Sequence, residues 1–149
     1  FQHWIYGFLS DTNASGTADR CNDRNSGTGT YDNPLGLTTQ PYTSPVGWFN
    51  GVNVNPNGSV TTVNSPSPVG AYDVSGNVWE WCGDWYLSTY YTSGGPPWTN
   101  PTGPATGTTR VLRGGSWLSR FLDCRSAGRD GDTPGDDDDS YGFRVSRTP

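Results

Sequence analysis

The chain has 149 residues, a net charge of -5, 31% hydrophobic and 13% aromatic residues, and a mean hydropathy of -0.69. That length suits one domain. No stretch approaches the ~18 apolar residues of a membrane span, so membrane insertion is not expected, and an acidic chain without a dense basic patch argues against nucleic acid.

With 21 Gly and 12 Pro the composition approaches that of disordered chains, but 7 Trp and 8 Tyr supply ring surface that such chains lack. The basic residues are all Arg, and every acid but Glu80 is Asp. Strong helix formers are scarce, which predicts short strands, little helix, and a core built from aromatics. The chain begins at Phe1 without a charged-then-apolar leader, which reads as a processed chain or a fragment.

In chain order, residues 1–10 (FQHWIYGFLS) form the one dense apolar run near the start and are expected to be a short buried segment. Residues 11–45 are polar and turn-rich, and predict irregular chain tied down by side-chain hydrogen bonds. Residues 46–69 carry NG and PNG turn signals, which predict a short hairpin. Residues 70–91 (GAYDVSGNVWEWCGDWYLSTYY) are the aromatic centre, with a turn at Ser75-Gly76-Asn77 and Trp79, Trp81 and Trp85 as anchors. A Gly/Pro/Thr loop follows over 92–109. Residues 110–117 (RVLRGGSW) start as a strand and end at a Gly-Gly bend. Residues 118–141 are charged and irregular, and GFRV at 142–145 predicts a closing strand.

Glu80 is the most conspicuous ionisable residue, lying between two Trp. A carboxylate there needs either an arginine or a cation such as calcium, the latter with Asp73 and nearby carbonyls. Cys21, Cys82 and Cys124 allow at most one internal disulfide, with the pairing open. The absence of Cys/His metal spacing, and a single His at position 3, argue against zinc or a multi-histidine iron site. The Asp136–Asp139 run is open to three readings: a solvated loop, a calcium loop, or a ligand-facing acidic patch.

The words GAYDVSGNVWEWCGDWY, NPTGP (100–104), RVLRGGSW, Arg125, Arg129 and GFRV closely resemble the formylglycine-generating enzyme / sulfatase-modifying-factor family. The resemblance runs in order from about Pro45 to Val145. It implies an α+β, loop-rich domain, a variant of the C-type lectin fold, with the upstream part of the domain missing. It also implies a structural calcium held by Asp73, Gly76, Val78 and Glu80. Enzymes of the family hold copper on two cysteine thiolates soon after the GGS word. Counted from that word, one of these positions is Ser119 and the other Cys124; counted back from Arg125, Cys124 matches neither. Copper, and with it enzymatic activity, is therefore not expected.

Residues 113–145 more narrowly resemble the variable proteins of diversity-generating retroelements, which are binders on this fold. That likeness implies a variable ligand-binding region over 110–145 within a single domain, 1–149. Its ligand-facing residues would be Leu118, Ser119, Arg120, Phe121, Leu122, Asp123, Gly128, Asp130, Asp132, Asp136, Asp137, Asp138, Ser140 and Tyr141. Its structural frame would be Trp79, Trp81, Arg113, Trp117, Arg125, Arg129, Phe143 and Arg144, with Trp117 and Phe143 packed in the core. The implied ligand is a protein, and the implied setting an exposed one: a cell surface, the extracellular space or a phage particle. The alternative is a fixed-sequence, catalytically inactive relative serving as a scaffold or carbohydrate binder.

Overall fold

A computed structural model describes residues 20–24, 35–56, 58, 61–93 and 99–146. The expected buried segment at 1–10 lies outside the described residues. Four strands form one sheet in the order β3-β2-β1-β4: β1 Trp79–Trp85, β2 Arg110–Arg113, β3 Asp130–Asp132 and β4 Tyr141–Gly142. β1 pairs antiparallel with β2, with a register shift between Trp81 and Trp85, and parallel with β4. β2 pairs antiparallel with β3. No helix occurs among the described residues, in keeping with the scarcity of helix formers.

Local signals account for the turns. Gly76 and Asn77 of the Ser-Gly-Asn turn have φ of 79° and 70°, and Gly114 and Gly115 of the Gly-Gly bend have φ of 91° and 73°. These are left-handed conformations that glycine, and to a lesser degree asparagine, adopt at low cost. The two bends meet: the Gly76 amide donates to the Gly114 carbonyl at 2.7 Å. The hairpin predicted within 46–69 exists in minimal form, as a bridge between Val54 and Thr61.

The core is small and partly polar. Trp117, Phe49, Leu112 and Cys124 are its largest fully buried apolar side chains, and the Tyr42 ring meets Trp117 edge-on at 5.1 Å. Trp79, Trp81 and Trp85 are only half-buried, so the aromatic core is narrower than the composition suggests. The Asn77 side chain joins loops distant in sequence. Its Oδ1 accepts from the Ser44 amide at 2.8 Å, and its Nδ2 donates to the Ser44 carbonyl at 3.1 Å. Asn22, also buried, donates its side-chain amide to the Tyr42 carbonyl at 2.6 Å. Irregular chain held by side-chain hydrogen bonds is thus what the described parts of 11–45 show.

Two expectations are corrected. Residues 118–141 are not wholly irregular, because Asp130–Asp132 forms β3 at the edge of the sheet. Phe143 is not in the core but 77% exposed. The closing strand ends at Gly142. Beyond it, Arg144 turns inward to Glu80, and the side chains on either side of Arg144 point outward, as alternation along extended chain requires.

Candidate functional site

Each frame arginine is fixed by the backbone or by a specific partner. Arg113 reaches the carbonyls of Ser126 and Gly128 at 3.0 and 3.3 Å, tying the middle of the 118–130 loop to β2. Arg125 donates Nε to the Leu122 carbonyl at 2.7 Å. Arg129 donates to the Leu87 carbonyl at 3.3 Å and lies 5.0 and 4.8 Å from the ring centroids of Tyr86 and Tyr91. Arg110, on the same sheet, stacks 3.5 Å over the Trp85 ring.

On this support sits an open groove of about 710 Å³. Its walls bring together Leu118, Ser119, Arg120, Leu122, Asp123 and Asp130 from the proposed ligand-facing set, with Trp79, Arg125 and Arg129 from the frame. Leu118 and Leu122 are exposed. Arg24 also lines the groove and was not singled out in the sequence. It arrives through a bridge to Arg120, its amide donating to the Ser119 carbonyl at 2.8 Å. No local pattern in the sequence marks a residue that joins a site through tertiary pairing.

Apart from Gly128, the other members of the ligand-facing set do not line the groove. Phe121 is half-buried. Asp132, Asp136, Asp137 and Asp138 are not among the residues lining the groove. The Tyr141 hydroxyl donates to Asp132 at 2.6 Å, which lowers the Asp132 carboxyl pKa and raises that of the phenol. The Asp136 carboxyl is raised by its hydrogen bond with Asp132. Asp138 is lowered by bonds from the Ser140 hydroxyl and amide. Ser140 is buried, and Tyr141 stacks edge-on against Trp81 at 5.5 Å, so both serve packing. Gly128 lines the groove but has no room for a side chain: a Cβ there would stand 2.4 Å from the Asp123 carbonyl oxygen.

The Glu80 region resolves into an ion pair. Arg144 donates Nε to Glu80 Oε2 at 2.6 Å and Nη2 to Oε1, and also binds the carbonyls of Tyr72 and Asp73 at 3.1 and 2.9 Å. The Asp73 carboxylate accepts from the Gly47 amide at 2.6 Å. Burial raises the Asp73 pKa, against the lowering effects of that amide and of Arg144. The Gly76 carbonyl accepts from the Val78 amide at 3.0 Å. Both Glu80 oxygens are on the guanidinium. Among the described residues, no group of three or more His, Cys, Asp or Glu could hold a metal.

None of the three cysteines is in a disulfide. Cys124 is fully buried, and burial raises its thiol pKa. Ser119 presents a hydroxyl that accepts from the Ser116 amide at 3.0 Å.

Residues 9–149 match the family described as sulfatase-modifying factor enzyme 1-like domain. The chain is 43% identical over 107 residues to formylglycine-generating enzyme from Streptomyces coelicolor, covering 67% of this chain and 33% of that enzyme. It is 47% identical over 89 residues to serine/threonine-protein kinase pkn1 of Chlamydia pneumoniae, covering 58% of this chain and 14% of the kinase. Among solved structures, PvdO from Pseudomonas aeruginosa matches 94% of this chain and 43% of its own, at 24% identity and a TM-score of 0.56. Treponema denticola variable protein 1 matches 81% and 39%, at 34% identity and a TM-score of 0.48. The chain thus spans about a seventh to a third of the length of these sequence relatives.

Proposed function

Because the chain belongs to the sulfatase-modifying factor enzyme 1-like family, we propose that it is a non-catalytic member, one that uses the C-type-lectin variant of this scaffold to bind a protein ligand. In this reading 1–149 is one domain and 110–145 is its variable ligand-binding region. The observation that carries it is the division of labour within that region. Arg113, Arg125, Arg129 and Arg144 hold the backbone, while Leu118, Arg120 and Leu122 stand exposed around one groove and hold nothing up. Side chains on which the fold does not depend can change while the fold persists.

The non-catalytic half of the reading is supported by the chemistry of the donor set. A buried, protonated thiol and a hydrogen-bonded serine hydroxyl do not make a two-thiolate copper site. The same reading takes Glu80 as the anchor of a guanidinium rather than of calcium. Apolar Leu118 and Leu122 beside charged Arg120 and Asp123 give the mix of anchors and polar contacts found in protein-binding surfaces.

The test is a random-peptide display library panned against the chain. Peptides recovered should lose binding when Leu118, Arg120, Leu122 and Asp123 are replaced together, while stability to unfolding changes by less than about 2 kcal/mol. Collapse of the fold on that replacement refutes the reading, as does binding that survives it unchanged.

A further inference from the structure

The groove is opposite in character to the rest of the molecule. The chain carries a net charge of -5, yet four of its nine arginines, Arg24, Arg120, Arg125 and Arg129, line this one depression. Two carboxylates, Asp123 and Asp130, share the lining. Arg120 is exposed and makes no side-chain bond among the described residues. Arg125 commits its Nε edge to the Leu122 carbonyl and keeps its terminal nitrogens. Arg129 is fixed by a backbone carbonyl and two tyrosine rings, none of which neutralises it. None of Arg120, Arg125 and Arg129 forms an ion pair with a described carboxylate. Arg120, Arg125 and Arg129, held close together without an ion pair to a described carboxylate, are preorganised for an anion, because no existing pair of theirs must be broken before the ligand binds.

Extending the binding role proposed above, we infer that the groove takes an acidic peptide segment. Its carboxylates would meet the guanidinium forks of Arg120 and Arg125, and its apolar side chains would cover Leu118, Leu122 and the Trp79 ring. Two features favour a peptide over a dense polyanion. Asp123 and Asp130 in the lining, and the acidic body around it, repel a closely spaced run of phosphates or sulfates. The leucines and Trp79 offer apolar surface that only a ligand with side chains can cover.

The test uses fluorescence anisotropy with a labelled hexapeptide alternating glutamate and leucine. Matched peptides carry glutamine or lysine in place of glutamate, and hexaglutamate serves as a dense polyanion. The acidic alternating peptide should bind about tenfold or more tighter than the glutamine peptide at low salt, and weaken steeply as salt rises. Arg120→Glu and Arg125→Gln should each remove most of that preference. Asp137→Asn, outside the groove lining, should not, and melting curves should show all three variants folded. Equal binding of the acidic and glutamine peptides, preference for hexaglutamate, or an acidic preference untouched by Arg120→Glu overturns the inference. If panned peptides map to Leu118 and Leu122 but show no acidic bias, the binding role stands and the anionic specificity falls. If no peptide maps to the groove, both fall.

Discussion

Replacing Glu80 by glutamine tests what holds this part of the domain together. Gln keeps the size of the side chain but removes its charge, and turns an amide NH2 towards the Nε and Nη2 donors of Arg144. A fully exposed pair contributes about 0–1 kcal/mol, and breaking a fully buried one costs about 3–5 kcal/mol. The Glu80 side chain is 19% exposed and that of Arg144 38%, so the pair lies between these limits and solvent screens part of the loss. Arg144 also binds the carbonyls of Tyr72 and Asp73, so a loosened guanidinium frees that turn as well. The expected cost is about 1.5–2.5 kcal/mol. For a domain of this size that corresponds to a fall in Tm of roughly 4–8 °C. The assay is thermal unfolding by circular dichroism, run in millimolar calcium and again in excess chelator. The ion pair predicts the same fall in both. A fall confined to the calcium arm would place a cation on Glu80 and refute the argument, and no fall in either would show that the pair contributes nothing.

Gly131→Ala should destabilise the domain by about 2–3 kcal/mol. Its new Cβ would stand 2.3 Å from the Tyr86 ring, which also bears Arg129, so a stability change below about 0.5 kcal/mol in denaturant melts would show the ring can yield freely. Asp73→Asn should change the pH dependence of stability. Burial raises the folded pKa of Asp73, so its favourable contribution is complete in acid and is lost as pH rises through that raised value. Asn retains an acceptor for the Gly47 amide and tolerates the φ of 55° at this position. Urea unfolding should therefore show the variant gaining on the parent chain as pH rises above about 4. A gap that stays constant, or moves the other way, sinks that account.

What the sequence determined by itself is local or repeated in fixed words. Glycines and asparagine marked the bends at 76–77 and 114–115, because only such residues enter left-handed φ cheaply. RVLR read as a strand and became β2. The series of words from Pro45 to Val145 pointed to the family that residues 9–149 match. The tertiary structure decided what depends on distant partners. The sequence left Glu80 open between an arginine and a cation, and only the return of the chain through β4 brought Arg144 to it. That same contact turned Phe143 outward, against a reading that assigned it to the core by its apolar character. Arg24 reached the groove through a pairing with Arg120 that no spacing encodes. Gly128, Ser140 and Tyr141 looked like open positions in a variable stretch, yet close approach, burial and a hydrogen bond to Asp132 commit them to packing. Backbone conformation is set by each residue and its neighbours. Ion-pair partners, burial and the membership of a groove are set by which distant segments meet, and that information appears only when the chain is folded.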